Sequence, residues 1–274
     1  MKLEALFQQP QMLPAMPRVV QQLVASLASE AAHSDDLVPL IGSDPVLSAE
    51  LLRLANSAYF QRSSPVGSVH QALQQLGFVN VRALVIRIGL MTRFVNVPGH
   101  LLKPFWQHSV HTAMAARHWA ARLDVNPELA YLLGLLHAIG QLLMRIRLPD
   151  AMLELDLKMS ANDPRRQLLE QQVLGFSTAQ VGAELLQRWQ FPALFSQVIA
   201  GASVSVEPAA QPLAALITLA AWQAWVTDAA PDDAQIEASW PELLAQQVGV
   251  LHTQAGRNFP PWDELCSTID RLTD

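Results

Sequence analysis

The 274-residue chain is predicted to be all-α, a two-lobed helical bundle, and three observations carry that prediction. Apolar residues recur at helical spacing along nearly the whole sequence, while the alternation that marks a strand is almost absent. Helix-start and helix-stop residues bracket those periodic stretches. Hydrophobic residues make up 51% and charged residues 15%, a balance that demands a large core and argues against long disordered tails.

The elements follow in order. Asp44 is placed to cap a helix, since its carboxylate can accept from the free amides of the first turn, and Pro45 then sits where a missing N–H costs nothing. Leu47, Leu51, Leu54 and Ala58 share a face of that helix. Asn56 is placed to end it, because Asn tolerates the left-handed conformation. Ser68 caps a second helix whose face is Val69, Leu73 and Leu76, closed by Gly77. A third runs from about Val79 to Phe94 with Leu84, Ile88 and Met91 inward. Asn96-Val97-Pro98-Gly99-His100 is a clear break, and the boundary between lobes 1–98 and 99–274 is placed there. Lys103 to Leu123 then reads as a long helix carrying His108, His111 and His118, and Pro127 to about Ala138 as the next. Helices continue to the C-terminus, interrupted at Asn162-Asp163-Pro164, Glu207-Pro208 and Pro231-Asp232-Asp233. Trp189, Trp222, Trp225, Trp240 and Trp262 are expected as core or half-buried anchors.

Composition also excludes several classes. The single cysteine, Cys266, rules out an internal disulfide framework and a cysteine zinc cluster, as in a reducing compartment. Glu4, Gln8 and Gln9 interrupt the N-terminus before a signal-peptide core can form, and the apolar run Leu129 to Met144 is short for a membrane span. A cytoplasmic protein with no membrane partner is expected. Residues 1–122 carry ten Lys and Arg against six Asp and Glu, whereas the remainder carries eight against eighteen. The basic residues of the first part are interspersed with apolar positions, so they read as solvated helix surface, and nucleic acid is not the favoured partner.

Several short motifs stand in a fixed order. The first part holds Leu13-Pro14-Ala15-Met16-Pro17, Ile41-Gly42-Ser43-Asp44-Pro45, Leu51-Leu52-Arg53-Leu54-Ala55-Asn56-Ser57-Ala58-Tyr59-Phe60, and Val69 to Gly77. The second part holds Phe105-Trp106-Gln107-His108-Ser109, Gly134-Leu135-Leu136-His137-Ala138-Ile139-Gly140, Val181-Gly182-Ala183-Glu184-Leu185-Leu186 and Trp189-Gln190-Phe191-Pro192. In this order they resemble the HDOD domain family, non-catalytic relatives of the HD and HD-GYP metal-dependent phosphohydrolases, over nearly the whole chain. The resemblance implies an HD-like helical fold for the C-terminal lobe.

An active HD site needs imidazole and carboxylate ligands converging on a hard divalent cation, which activates water and polarises phosphate. The resemblance places His108 at the first histidine and His137 at the second. The partner Asp of the second is here Ala138, whose methyl cannot hold a metal. Thr178 and Ala202-Ser203 stand where active relatives would show histidines, and Ala221 stands near the last Asp position. His108, His137 and Ala138 are therefore read as vestigial metal-site positions, with no catalytic residue, metal or cofactor. His111, one turn after His108, could complete an adventitious three-histidine zinc site, but histidines satisfied by backbone or water are the simpler reading. Arg53, beside the apolar stripe, either pairs with Glu50 or a carbonyl or contacts a partner.

No phosphate loop, dinucleotide fingerprint or nucleophile elbow occurs. The expected function is regulatory: contact with a signalling protein such as a kinase, a response regulator or a cyclic-dinucleotide enzyme. The old pocket, on this reading, could also sense a nucleotide. The alternative is a metal-dependent phosphohydrolase or phosphodiesterase with a rearranged metal site, for which other carboxylates, for example Glu170 or Glu184, would have to face the pocket.

Overall fold

The computed structural model describes residues 2–8, 15–28, 38–39, 41–57, 65–91, 93–94, 97–202 and 211–265. Leu13, Pro14, Ala58, Tyr59, Phe60, Ser203, the Glu207-Pro208 break and Cys266 lie outside the described residues, as does the side chain of Met91. The described residues are helical throughout, with no strand among them. They form two compact units, one of Met1–Leu13, Asn96–Arg188 and Ala193–Leu265, the other of Pro14–Val95 with Trp189–Pro192.

The Pro14–Val95 unit is built from α1 (Arg18–Ala28), α2 (Pro45–Ala55), α3 (Val69–Leu76) and α4 (Phe78–Met91). The caps behave as their chemistry requires. Asp44 accepts from the amides of Val46 and Leu47 at 3.0 and 3.1 Å, and Ser68 Oγ from Gln71 at 3.2 Å. Gly77 ends α3 at φ +82°, a left-handed angle that suits glycine. Leu47, Leu51 and Leu54 are buried on α2, and Ala72 is buried on α3 where Leu73 stays half-buried. α4 crosses α1 closely: a Cβ at Gly89 would fall 2.4 Å from Val20 Cγ2.

Asn56 departs from expectation. Its backbone (φ −94°, ψ 4°) is not left-handed. Instead its side chain donates to the carbonyls of Leu52 and Val66 and accepts from the Val66 amide, at 2.7–2.8 Å. The amide group thus clamps the two ends of the 57–65 connection, a task that a donor and an acceptor on one short side chain can do.

The larger unit contains α5 (Gly99–Trp119), α6 (Pro127–Leu136), α7 (Ile139–Arg147), α8 (Pro149–Lys158), α9 (Arg166–Leu174), α10 (Thr178–Arg188), α11 (Ala193–Gly201), α12 (Pro212–Ala229), α13 (Asp233–Ser239) and α14 (Glu242–Val248). α5 begins four residues before the expected start, directly after Pro98. α5 packs between α6 and α12, α10 packs against both α7 and α11, and α14 packs on α12. Asp232 starts α13 with a reciprocal capping box to Gln235. Trp222 and Trp225 are buried on α12, and Trp240 and Trp262 are half-buried.

The apolar run through Pro127–Arg147 is long and apolar enough to cross a membrane, yet 83% of its most apolar stretch is buried inside the protein. It is not one helix: α6 stops at Leu136 and α7 begins at Ile139, with His137-Ala138 at the joint. Two glycines hold this joint in place. A Cβ at Gly134 would meet the Ala113 backbone of α5 at 2.7 Å, and one at Gly140 would meet the Thr178 carbonyl of α10 at 2.2 Å. These contacts press His137 and Ala138 against the neighbouring helices.

Candidate functional site

The joint opens onto a pocket of about 70 Å³, room for several water molecules. Its wall includes His108 of α5, His137 and Ala138, Gln141 of α7, the 161–164 connection, Arg166, Gln167 and Glu170 of α9, Thr178, and Thr218, Ala221 and Trp222 of α12. The structure thus brings together His108, His137, Ala138, Thr178, Ala202 and Ala221, which the sequence singled out. Ala138 contributes a methyl group to that wall.

Asp228 was missed by the sequence reading. Its Oδ2 takes a hydrogen bond from His108 Nδ1 at 2.8 Å and its Oδ1 one from His111 Nδ1 at 2.6 Å. Burial would raise the Asp228 carboxyl, but the two imidazoles outweigh it and hold it below the usual carboxylate range. The signal was available: Asp228 lies seven residues, two helical turns, after Ala221 and so on the same face of α12. His111 is further occupied by Trp262, stacked at 4.5 Å with rings 9° from parallel. It is bonded to Asp228, stacked on Trp262 and absent from the pocket wall.

His137 Nδ1 bonds the Gly134 carbonyl at 2.7 Å, and a carbonyl can only accept, so Nδ1 carries the proton and Nε2 a lone pair. Burial first, and the neighbouring His108 second, pull this imidazole down to about 3 against the opposing effect of the carbonyl. It is neutral at neutral pH. The His108 and His137 rings lie 5.5 Å apart between centroids.

The opposite wall is a buried charged network. Arg166, 2% exposed, donates to Glu170 at 3.2 Å, to Asp156 at 2.9 Å, and to the Met159 carbonyl. Arg145 reaches the second oxygen of Asp156 at 2.7 Å. Glu170 also takes the Thr178 amide at 2.7 Å and hydroxyl at 3.0 Å. Burial raises its carboxyl above the ordinary range, although Thr178 and Arg166 oppose this.

A hard divalent cation does not fit this wall. It needs several carboxylate or carbonyl oxygens free to turn toward it. Asp228 is engaged by two imidazoles, Glu170 by Thr178 and Arg166, Asp163 by Arg165, and Ala138 has no oxygen. Glu184 pairs with Arg188 at 2.8 Å and is absent from the pocket wall. Among the described residues no three His, Cys, Asp or Glu are grouped to hold a metal ion. Arg53, in the other unit, is exposed and paired with Glu50 at 2.8 Å.

The HDOD domain profile matches residues 13–203, well over half of the chain, and the protein belongs to the HDOD domain family. Solved structures share its fold. A Shewanella amazonensis protein provisionally named a phosphohydrolase is 28% identical, with a TM-score of 0.68 over 98% of this chain and 94% of its own. An HDOD domain protein of unknown function from Geobacter sulfurreducens is 23% identical, with a TM-score of 0.70 over 95% and 91%. A Marinobacter aquaeolei protein provisionally named in signal transduction is 24% identical, with a TM-score of 0.73, and this chain covers 61% of it. An uncharacterized Treponema pallidum protein is 25% identical over 183 residues, 66% of this chain. The chain spans about a third of the length of that curated relative.

Proposed function

We propose that this is a non-catalytic regulatory protein of the cytoplasm that signals by contacting another protein, such as a kinase, a response regulator or a cyclic-dinucleotide enzyme. The observation that carries the reading is the Ala138 methyl in the pocket wall, with the nearby carboxylates Asp163, Glu170 and Asp228 already engaged by Arg165, Thr178 and His108. Metal-assisted hydrolysis needs a cation to lower the pKa of water, and the carboxylates of this wall, Asp163 and Glu170, are bonded to Arg165 and Thr178 rather than turned toward one. The 28% identical relative provisionally named a phosphohydrolase supports the alternative of hydrolysis through a rearranged site. Of the carboxylates such a site could use, Glu170 lines the pocket but is bonded to Thr178 and Arg166, and Glu184 is bonded to Arg188 and lies outside the wall.

Assay of phosphomonoester and phosphodiester hydrolysis with added Mn²⁺ separates the two readings. The regulatory reading expects wild type and His137→Ala to be equally inactive. Mn²⁺-dependent turnover that His137→Ala abolishes would establish the enzyme instead.

A further inference from the structure

α8 carries apolar residues on two sides, one turned to the core and one turned out. Met152 and Leu155 face inward, each 1% exposed. Leu153 and Leu157 face outward, 62% and 82% exposed, and Leu157 is the most exposed large apolar side chain among the described residues. Residues four apart are neighbours on a helix surface, so the two leucines form one short apolar stripe.

The stripe has a charged border. At about 100° per residue, the exposed arc of α8 runs Leu153, Leu157, Asp150, Glu154, Lys158. Asp150 and Glu154 therefore lie alongside the leucines, and Lys158 closes the far edge. The third carboxylate of the helix, Asp156, is held by Arg145 and Arg166 at 2.7 and 2.9 Å. Among the described residues Asp150 and Glu154 have no ion-pair partner. Two such carboxylates beside two leucines complement a helix that carries lysine or arginine next to its own apolar stripe. A second copy of this chain is a poorer match, because it would bring the same acidic border and each chain carries a net charge of −6.

We propose that the outer face of α8 docks a basic amphipathic helix of a partner protein, with Leu153 and Leu157 as apolar anchors and Asp150 and Glu154 pairing with its cations. The proposal rests on the regulatory reading and gives it a contact surface and a partner chemistry. The face also adjoins the pocket: Asp156, next to Leu157, takes a hydrogen bond from Arg166, which lines the pocket wall.

The test is fluorescence anisotropy of a labelled synthetic helical peptide, leucine on one face and lysine on the other, titrated with the full chain. A second peptide carries glutamate in place of lysine. The lysine peptide should bind at least about tenfold more tightly than the glutamate peptide, and the gap should narrow as salt rises. Leu157→Gln should weaken the lysine peptide at least about tenfold, since a buried leucine is lost from the contact. Glu154→Lys should weaken it by about threefold or more. Leu243→Gln, which changes an exposed leucine on α14, should leave it unchanged. Both α8 substitutions fall at exposed positions, so the Tm of the free protein should stay within about 2 °C of wild type. Equal binding of the two peptides, no binding, or binding that Leu157→Gln leaves intact would overturn the proposal. Self-association of wild type that sedimentation shows and Leu157→Gln disperses would assign the face to a second copy and overturn it as well. Failure of the regulatory reading is seen separately, as Mn²⁺-dependent turnover, an assay that does not involve Leu153 or Leu157.

Discussion

Replacing Gly140 with alanine tests the packing that holds the pocket. The new Cβ would stand 2.2 Å from the Thr178 carbonyl oxygen, 2.5 Å from the Gly182 amide nitrogen and 3.1 Å from Gly182 Cα. All three are backbone atoms of α10, so no side chain can rotate away and the two helices must part by more than about 1 Å. Overpacking of this kind costs about 1–3 kcal/mol, and the better helix propensity of alanine returns at most about 1 kcal/mol. Moving the Thr178 backbone also disturbs the bonds that satisfy Glu170, adding about 1 kcal/mol or more. The net loss is about 2 kcal/mol, which lowers Tm by roughly 4–8 °C in a unit of this size. Circular dichroism melts should show that drop for Gly140→Ala. Gly182→Ala, whose Cβ would find its neighbours at 3.3–3.5 Å, should lose less than about half as much, and Gly42→Ala, with nothing within 4 Å, should melt like wild type. A Gly140→Ala protein melting at or above the wild-type temperature would refute the close-approach argument.

Other consequences are equally direct. Asn56→Ala leaves the Val66 amide and carbonyl without their partner, and urea titration should show a loss of about 2 kcal/mol with an unchanged m-value. His137 takes up a proton near 6.5 when unfolded but only near 3 when folded. The unfolded state therefore binds more protons between those values, and stability falls as pH drops from about 6.5 toward 3. His137→Asn should have a flatter stability-versus-pH curve in urea titrations over that window, and an identical slope in both proteins would contradict the buried neutral imidazole. Asp228→Asn lacks the depressed carboxyl, so wild type should lose part of its advantage over the variant as pH falls below about 4, again by urea titration.

The helical fold was legible because it rests on local chemistry. Asp44-Pro45, Ser68 and Gly77 act through their nearest amides and φ angles, so spacing alone announces them. His108, His137 and Ala138 were legible as a group because the order of motifs ties them to one fold. Asp228 was missed although its two-turn offset from Ala221 could be read, because its bond to His108 depends on how α12 crosses α5. Most of the Arg145–Asp156–Arg166–Glu170 network was equally hidden: Arg166 and Glu170 share one helix at i,i+4, but Arg145 and Asp156 come from two others. Asn56 was assigned the right position for the wrong reason. Its neighbourhood suggested a backbone role, whereas its partner, Val66, lies ten residues on, outside any local spacing argument. Gly134 and Gly140 bear on the site by having no side chain, which a search for chemical groups passes over.

The central claim, that the Ala138 methyl leaves this pocket without the oxygens to hold a catalytic cation, is tested most directly by elemental analysis of protein dialysed against Mn²⁺ and then buffer. Wild type should retain well under one metal ion per chain, and Ala138→Asp, which restores a carboxylate beside His137, should retain measurably more. Stoichiometric metal in wild type, lost in His108→Ala or His137→Ala, would contradict the account.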